Sequence, residues 1–578
     1  MEIYHITDMY EKWIKHIDKN SPIYDELINV KNLQDEIEER FASSLSFGTS
    51  GLRAKMGGGT ARINEYTIRQ ATQGIANVLN DIMAIDAEKY IAIAYDSRKN
   101  SELYAKKTAE VFAANNIGVY IFDKLMPTPV LSYAVRELGA MAGIVITASH
   151  NPQDYNGYKV YDNKGCQITD KLANVYHDAI REVDIFNDVK SVDFKEAISN
   201  GKIRYIEHKL VDKFIDDVYE YSMSGRYEDI DLDNDIKIVY TPLHGSGRDV
   251  VPKIFSKCGF DNVINVEEQL ETNGEFVTCP VPNPEENEAF RLALQYAREN
   301  DADIVVATDP DSDRMGVCAK DEITGEYLHL TGNEVGILLF DFICQIINEK
   351  GVFPDNGVLI KSIVSTCLVN KIADKYNVNV IDVLIGFKYI GEIISNLEER
   401  NELDRFLFGF EESLGYLGGS YARDKDATYA SMMLAEMTGY YKKRGITLVD
   451  RLVEIKREYG YVVDKSISYQ FDELNGDKIR KAIMSRVRER GFFIDGFEII
   501  EKVDYSDGIN GLPVSDLLKL FLLGEQSIII RPSGTEPKIK IYISVIGDDA
   551  ANAQSKMDKL EQSIRVIIEN IVEEFNVK

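Results

Sequence analysis

The sequence has few of the features that mark membrane, secreted or metal-thiolate proteins. No uninterrupted apolar run reaches about 18 residues, the length that a membrane-spanning helix needs, so no membrane partner is expected. The first eight residues are acidic and lack an apolar core, which argues against a signal peptide. The six cysteines are scattered without Cys-x-x-Cys spacing and indicate neither a disulfide framework nor a zinc site. A reducing, cytoplasmic location is therefore expected.

Positive charge is also scarce. The 66 lysines and arginines face 95 acidic residues, and the formal net charge is −29. Nucleic-acid binders carry a basic patch, so no nucleic-acid partner is expected. An anionic substrate would need local basic clusters, because the overall field repels it. The Gly-x-Ser-x-Gly signature of α/β-hydrolases is missing as well, which argues against acyl transfer.

The most informative stretch begins with a small, β-branched run at 143–148, which predicts a buried strand. Ser149 follows, and Pro152 cannot continue a strand ladder. Ser149 is therefore expected on a tight loop at the carboxyl end of a strand, where open α/β sheets bind ligands. A second turn is predicted at 155–157 and would bring Lys159 back to the same loop. Taken alone, Ser149 could simply cap a turn, since a nucleophilic serine needs a base or a lowered pKa.

A second polar loop, Asp309-Pro-Asp-Ser-Asp-Arg314, follows an apolar strand. Its carboxylates at i, i+2 and i+4 (Asp309, Asp311 and Asp313) can face one cation. An EF-hand would need glycine at the sixth position and glutamate at the twelfth, where this chain has Arg314 and Lys320. Three hard oxygen ligands beside an arginine suit Mg²⁺ that shares its shell with phosphate. The alternative is an acidic turn on a solvated surface.

Two further loops combine glycine, hydroxyl groups and arginine. The first is 47–53, which ends in Arg53, and the glycines that follow it at 57–59 are expected to be flexible. The second contains Arg531, Ser533, Gly534 and Thr535. Backbone N–H groups, hydroxyls and a guanidinium can grip a phosphate. Each loop, taken alone, could also be an ordinary turn.

Strands alternate with helices over most of the chain, which predicts crossover units on mostly parallel sheets. From about residue 460 the pattern changes to short strands and helices typical of a small α+β domain. Residues 1–45 are expected to form helices packed on the first domain. The predicted domain ranges are 1–215, 216–330, 331–459 and 460–578, with a hinge near 459–461.

Thr147-Ala-Ser-His-Asn-Pro152, with Tyr155-Asn-Gly-Tyr-Lys159, resembles the active-site loop of the α-D-phosphohexomutases, the family of phosphoglucomutase and phosphomannomutase. The resemblance extends from about Phe47 to the C-terminus, with the other motifs in the family's order. It implies an α/β fold of three similar domains with mixed sheets and a smaller C-terminal α+β domain, arranged around a central cleft. It also implies that Ser149 carries a phosphoryl group.

The same resemblance assigns roles to the reacting groups. Ser149, through its phosphate, and the three aspartates would hold one Mg²⁺ per chain, and Arg314 would contact a phosphate oxygen. Lys159 would be the general acid or base, for which its pKa would have to be lowered; a simple phosphate contact is the alternative. His150 would orient the phosphoserine or shuttle a proton, and Arg53 would lie near the phosphoserine.

Substrate recognition is implied for three other segments. Glu411 and Ser413 resemble the family's sugar-recognition loop, although Phe410 and Leu414 stand where other members have glycine, which leaves the preferred sugar open. Lys388 would contribute a cation to the substrate phosphate. The distal phosphate would be held by Arg531, Ser533, Gly534 and Thr535.

Within the family, the chain length, the N-terminal extension and the Glu-Glu-Ser loop are most similar to phosphoglucomutases. The resemblance implies interconversion of glucose 1-phosphate and glucose 6-phosphate through a glucose 1,6-bisphosphate, which also serves as activator. Mannose or pentose phosphates, or synthesis of the bisphosphate, are alternatives. A metal-dependent phosphatase would need more histidine ligands, and a non-enzymatic sensor would be expected to lack one of the reacting groups. A monomer or weak homodimer is expected.

Overall fold

The computed structural model describes residues 2–48, 51–82, 89–471, 475–489, 491–509, 511–533 and 538–576. The chain divides into two compact units. The first contains Met1–Gly332 and Phe387–Thr447, and the second contains Asn333–Gly386 and Leu448–Lys578. This division is coarser than the four predicted domains, which stay a prediction. In the described part of the chain, no helix is both long and apolar enough to cross a bilayer.

Three helices open the first unit, as expected for the N-terminal extension: α1 (Glu2–His16), α2 (Pro22–Asn29) and α3 (Gln34–Phe41). Ser21 caps α2 by accepting a hydrogen bond from the backbone of Tyr24, and proline occupies the first turn, where no N–H is needed. Trp13, Leu27 and Phe41 are buried between the helices. Burial of these side chains holds together helices that are too short to be stable alone.

The first sheet has six strands in the order β1-β5-β4-β2-β3-β6. β4, β2, β3 and β6 are parallel, whereas β5 runs antiparallel to both of its neighbours. The elements of this region are β1 (Leu52–Lys55), α4 (Glu65–Ile82), β2 (Tyr90–Tyr95), α5 (Ser101–Ala114), β3 (Gly118–Ile121), α6 (Thr128–Glu137), β4 (Ala142–Ile146), β5 (Tyr155–Tyr161), α7 (Asp170–Arg181), α8 (Phe194–Ser199), β6 (Ile203–Tyr205), α9 (Lys209–Tyr219) and α10 (Met223–Arg226).

The turn predicted at 155–157 is wrong, because these residues begin β5. Asn156 donates from its side chain to Ser101 Oγ at 3.0 Å instead of closing a turn. A Cβ on Gly157 would lie 2.5 Å from the carbonyl oxygen of Thr147, so this glycine serves close backbone approach. Lys159 therefore reaches the Ser149 loop from a strand.

The glycine loop 57–59, expected to be flexible, is held on both sides. Arg40 from α3 donates to the carbonyl of Gly58 at 3.1 Å, and Glu26 from α2 accepts from its N–H at 3.0 Å. The side-chain amide of Asn64 donates to the carbonyls of the two flanking glycines. The expectation of a loose loop is therefore wrong.

A second sheet of the first unit has five strands in the order β11-β10-β9-β7-β8. Its elements are β7 (Ile238–Thr241), α11 (Val251–Lys257), β8 (Val263–Asn265), α12 (Glu267–Leu270), α13 (Arg291–Asn300), β9 (Ile304–Thr308), β10 (Met315–Lys320) and β11 (Tyr327–Leu330). β9 and β10 are antiparallel, with Thr308 opposite Met315, so the aspartate loop connects a hairpin. Helix α13 begins at Arg291, directly after a 3₁₀ turn at Asn287–Phe290.

The next elements are divided between the units. Those of the second unit are α14 (Gly332–Glu349, apart from its first residue), β12 (Val358–Ser362), α15 (Leu368–Lys375) and β13 (Asn379–Val383). Those of the first unit are α16 (Phe387–Glu399), β14 (Phe406–Glu411), β15 (Gly415–Leu417) and α17 (Ala427–Lys442). β12 pairs in parallel with β13, and β14 forms an antiparallel hairpin with β15.

The rest of the second unit confirms the predicted α+β texture. It consists of α18 (Leu448–Tyr459), β16 (Tyr461–Gln470), α19 (Gly476–Arg488), β17 (Ile499–Asp504), β18 (Leu518–Leu522), β19 (Gln526–Pro532), β20 (Lys538–Gly547) and α20 (Ala550–Asn576). The antiparallel sheet has the order β16-β20-β19-β18-β17. Its apolar face packs on α19 and α20 through residues such as Ile483, Leu520, Ile541 and Leu560.

Candidate active site

Ser149 lies on the loop between β4 and β5 with a φ of 52°, a left-handed conformation that is strained for a serine. The side chain is 2% exposed. Its hydroxyl donates to Asp309 Oδ2 at 2.7 Å, and His150 Nδ1 lies 3.1 Å from Ser149 Oγ. The structure thus brings the predicted nucleophile to the predicted metal loop, 160 residues further along the chain.

Arg98 gives this loop its shape. Its guanidinium donates to the carbonyls of Ser149 and Asn151, to that of Pro152 at 2.8 Å and to that of Tyr155 at 3.1 Å. The planar fork of an arginine can serve several carbonyls at once, which a lysine cannot do.

Arg98 is itself fixed from two sides. The carboxylate of Asp96 lies 3.4 Å from Nε, and the ring of Phe276 lies 5.1 Å from the guanidinium carbon. Asp96 also accepts from Thr147 Oγ1 at 2.7 Å. Neither Arg98 nor Asp96 was predicted as a site residue from the sequence, where the available signal was an Asp-x-Arg segment directly after the buried strand β2.

The three aspartates of the β9–β10 loop are fully buried, and one ligand oxygen from each lies within 4.8 Å of the others. Asp309 Oδ1 accepts from the backbone N–H groups of Asp313 (3.2 Å) and Arg314 (3.1 Å), which curls the loop around the carboxylates. Asp311 Oδ2 accepts from Thr128 Oγ1 at 2.8 Å.

The donor set fits a divalent cation. Among the described residues, no hydrogen-bond partner lies near Asp311 Oδ1 or Asp313 Oδ1, although both oxygens are buried. A buried carboxylate oxygen without a partner is costly unless it binds a metal or a proton. Hard oxygen ligands of this kind are those that Mg²⁺ prefers.

Two buried lysines contact the aspartates. Lys159 Nζ lies 2.7 Å from Asp311 Oδ2 and 3.1 Å from Asp313 Oδ2, and Lys425 Nζ lies 2.9 Å from Asp313 Oδ2. Lys425 was missed from the sequence, because only the fold brings the segment before α17 to this loop. The two ammonium groups balance much of the charge of the carboxylates.

The neighbouring carboxylates decide the pKa of both lysines. Burial lowers the pKa of Lys159, but Asp311 and Asp313 outweigh it, and the net pKa is raised. The lowered pKa that a general base would need is therefore not found, and Lys159 is protonated at neutral pH. Burial also lowers the pKa of Lys425, but Asp313 and the other nearby carboxylates raise it, and the net pKa is raised.

The other groups respond to the same surroundings. Burial and the neighbouring carboxylates raise the pKa of Asp309 well above its usual range. Burial, assisted by Arg314 and Arg53, lowers the pKa of His150 well below its usual value, so its ring is neutral at pH 7. A neutral imidazole beside Ser149 can both accept and donate a proton.

The predicted arginines of the first unit lie at this centre. Arg53 on β1 donates to Asn151 Oδ1 at 2.8 Å and is held opposite Gly157 of β5. Arg314 forms an ion pair with Glu285 at 2.9 Å. Both side chains are close enough to affect the pKa of His150. The centre therefore combines three carboxylates with several cations, an arrangement suited to a doubly charged phosphate.

The predicted sugar-recognition turn adjoins the aspartate loop. Glu411 ends β14, and Leu414 adopts a φ of 65° in the hairpin turn. The carbonyl of Leu414 accepts from the N–H of Met315, next to Arg314, at 3.1 Å. Ser413 lies in this turn and is half-buried. The charge of Glu411 contributes to the raised pKa values of Arg314 and Lys425.

Lys388, predicted to contact the substrate phosphate, is paired with a carboxylate of the protein in this structure. It is the second residue of α16, and its Nζ lies 2.5 Å from Asp170 Oδ1. The side chain is buried. A contact between this ammonium and a substrate phosphate stays a prediction, and it would have to compete with Asp170.

In the second unit, Arg531 and Ser533 lie at the end of β19 and just beyond it. Arg531 pairs with Lys540 of β20, and Arg480 donates to the carbonyl of Ser533. Ser533 N–H donates to the carbonyl of Lys538 at 2.8 Å. Gly534 and Thr535 lie outside the described residues. The arginine and hydroxyl of the predicted phosphate clamp thus stand beside further cations.

Comparison with known proteins identifies the family. Three sequence models match: "Phosphoglucomutase/phosphomannomutase, alpha/beta/alpha domain I" at 44–184, domain II at 212–324 and domain III at 331–455. The phosphoglucomutase of Staphylococcus saprophyticus is 36% identical over 524 residues, which cover 89% of this chain and 92% of that protein. The phosphoglucomutase of Staphylococcus haemolyticus is 35% identical, covering 94% and 97%.

The solved structures agree in fold. The open form of the exocytosis-sensitive phosphoprotein pp63/parafusin, a phosphoglucomutase from Paramecium, superposes with a TM-score of 0.67 at 17% identity, covering 92% of this chain and 96% of that one. These matches confirm the predicted fold class and the mutase class of enzyme. The chain belongs to the phosphoglucomutase/phosphomannomutase family of α-D-phosphohexomutases.

Proposed function

We propose that this chain is a phosphoglucomutase that interconverts glucose 1-phosphate and glucose 6-phosphate. The observation that carries the proposal is the hydrogen bond of 2.7 Å between Ser149 Oγ and Asp309 Oδ2. It joins a strained, buried serine to three carboxylates that fit a cation. The names of the relatives support glucose as the sugar, and no observation favours the mannose or pentose alternatives.

The reaction begins with a phosphoryl group on Ser149. The bond from phosphorus to Ser149 Oγ breaks while a bond to the free hydroxyl oxygen of the bound hexose phosphate forms. When bound to Asp309, Asp311 and Asp313, Mg²⁺ would stabilise the negative charge of the transferred group. Arg53 and Arg314 would contact its other oxygens, since phosphoryl transfer depends mainly on positioning and charge stabilisation.

The step requires one proton to move from the sugar hydroxyl to Ser149 Oγ. Neutral His150, 3.1 Å from Oγ, and protonated Lys159 are the side chains we assign to this transfer. The protonated state of Lys159 favours a proton donor, which later recovers its proton from the sugar side. Lys425 supports this role, because its ammonium contacts the same oxygen of Asp313 as Lys159 and its charge lowers the pKa of Lys159, which opposes the effect of the aspartates.

The product of the first step is glucose 1,6-bisphosphate, which must turn around and return its other phosphate to Ser149. We assign recognition of the sugar to Glu411 and Ser413, and a contact with the phosphate to Lys388. Arg531, Ser533, Gly534 and Thr535 would hold the phosphate that is not reacting, in either orientation. The bisphosphate also acts as activator, because it rephosphorylates any serine that has lost its phosphate.

We also propose that the domains end at residues 215, 330 and 459. The family matches to domains I, II and III, which end at 184, 324 and 455, support these boundaries. The six free cysteines support a reducing compartment such as the cytoplasm. We further propose that the enzyme works as a monomer or weak homodimer on a phosphosugar substrate, without a nucleic-acid or membrane partner.

The test is incubation of the purified chain with glucose 1-phosphate, Mg²⁺ and a trace of glucose 1,6-bisphosphate. We expect glucose 6-phosphate as product, with turnover that depends on the bisphosphate. Release of inorganic phosphate instead would indicate a phosphatase. The same assay on mannose, glucosamine and pentose phosphates should give lower kcat/KM, and a higher value for one of these would contradict the glucose assignment.

A further inference from the structure

The N-terminal helices α2 and α3 contact the glycine loop 57–59, which follows β1 and its active-site residue Arg53. Arg40 at the end of α3 is 8% exposed and lies at the centre of these contacts. Its guanidinium is paired with Glu26 of α2 at 2.6 Å and donates to the carbonyl of Gly58 at 3.1 Å. Its own carbonyl accepts from the N–H of Ala61 at 3.0 Å. Arg40 therefore connects two N-terminal helices to the glycine loop that follows β1.

The helices press closely on that loop. A Cβ on Gly58 would lie 2.7 Å from Leu27 Cγ, and a Cβ on Gly59 would lie 2.6 Å from the carbonyl oxygen of Arg40. Gly59 also has a φ of 128°, which L side chains rarely adopt. The glycines thus allow α2 and α3 to contact the loop backbone directly, and this contact defines the position of the loop.

The loop in turn holds β1. Ile63 accepts from the N–H of Gly57 at 3.1 Å and donates to the carbonyl of Lys55 at 2.9 Å. Met56 N–H donates at 2.8 Å to the carbonyl of Asp154, which belongs to the Ser149 loop. β1 is a short strand at the edge of its sheet with β5 as its neighbour, so few ladder bonds fix it.

We propose that Arg40 and Glu26 are positioning residues that act on the active site through the glycine loop. They clamp the loop between the N-terminal helices and β1, and so fix Arg53 against the Ser149 loop, where it donates to Asn151. The expected effect on turnover rests on the proposed function, whereas the effect on the position of β1 does not. The reason for the effect is geometric, because a misplacement of about 1 Å at a reacting group costs up to roughly 100-fold in rate.

The test compares Arg40→Ala and Glu26→Gln with a control, Lys12→Ala. The control removes another ion pair of the same extension, between Lys12 and Asp184 at 2.8 Å, which does not involve the glycine loop. Hydrogen exchange of peptides covering 52–57 is measured first, because it does not depend on activity. We expect faster exchange in the two clamp variants and exchange at the wild-type rate in Lys12→Ala.

The second readout is a double-mutant cycle with Arg53→Ala. Arg40→Ala should lower kcat about tenfold in the wild-type background but have little effect when Arg53 is already absent. Equal losses in both backgrounds, or unchanged exchange of 52–57, would overturn the proposal. If Arg40→Ala fails to fold, Glu26→Gln, which keeps a hydrogen-bonding side chain, decides the question. A wild-type chain without mutase activity would refute the proposed function. The hydrogen-exchange data would still test whether Arg40 and Glu26 hold the glycine loop and β1 in place.

Discussion

The two units present their candidate phosphate-binding groups in different ways. In the first unit, Ser149, the aspartates and Lys159 are buried and bonded to one another. In the second unit, Arg531 and Ser533 are half-buried at the end of a strand, next to the half-buried Lys538 and Lys540. The buried groups of the first unit hold one another in place, whereas we expect the half-buried cations of the second unit to bind and release a phosphate.

The difference follows from the cost of burying charge. A buried ion is tolerated only when its partners satisfy it, so each group of the Ser149 centre depends on the others. A half-exposed cation is screened by water and contributes less, but it can exchange partners without a large penalty. Substitutions in the first region should therefore affect the rate of reaction, and those in the second should mainly affect binding.

The largest expected effect is that of Ser149→Ala. It removes the oxygen that carries the phosphoryl group, so kcat should fall by at least about 10,000-fold. Steady-state conversion of glucose 1-phosphate measures the loss, and the absence of labelling from ³²P-labelled glucose 1,6-bisphosphate identifies its cause. Activity close to wild type would show that the buried Ser149 centre does not carry out the reaction, and the contrast between the two units would then lose its basis.

Arg98→Lys is expected to have the next largest effect. A lysine keeps the charge opposite Asp96 but cannot donate to four carbonyls, so the strained Ser149 loop should relax. We expect kcat to fall roughly 100-fold with little change in KM. Lys99→Ala is the matched control, because Lys99 is an exposed neighbour paired only loosely, at 3.6 Å, with Glu275. A KM effect without a kcat effect in Arg98→Lys would show that this residue serves binding.

The sequence was most informative where the chemistry lies in one continuous run. The Ser149 segment and the Asp309–Arg314 loop each carry their residue types and spacing locally, so both could be identified and their proximity expected from the family resemblance. Arg98 and Lys425 could not be found in this way. Their partners are backbone carbonyls near residue 150 and a carboxylate at 313, and only the fold brings these groups together.

Local signals were misleading where tertiary contacts replace them. Tyr155-Asn-Gly157 has the composition of a turn, yet pairing with β1 keeps it in a strand. The glycines at 57–59 suggested mobility, yet they are present because the N-terminal helices need direct contact with the backbone. A general base at Lys159 would need a lowered pKa, but the carboxylates that accompany its burial outweigh the effect of burial.

Arg531→Ala should have a moderate effect on the other side of the comparison. Loss of one charged hydrogen bond to the phosphate that is not reacting should raise KM roughly tenfold and leave kcat within a factor of about three. Lys540→Ala is the matched control: it removes the cation opposite Arg531 on β20, and its KM effect should be smaller. A collapse of kcat in Arg531→Ala with unchanged KM would mean that this region takes part in the reaction itself.

The smallest effect concerns an ion pair at the surface of the second unit. Arg488 pairs with Asp504 at 2.7 Å, and both side chains are half-buried. Burial is the largest single influence and raises the pKa of Asp504, but the hydrogen bonds from Arg488 and Ser506 and the charge of Arg488 together outweigh it and lower the net pKa. The stabilisation is thus complete above the unfolded pKa of about 3.9 and is lost as the pH falls through the lower folded value. After solvent screening, Asp504→Asn should cost only a few tenths of a kcal/mol at pH 7 and less at pH 2. Denaturant unfolding at both pH values checks this, and a loss above about 2 kcal/mol at pH 7 would show that the second unit, too, relies on strongly coupled charges.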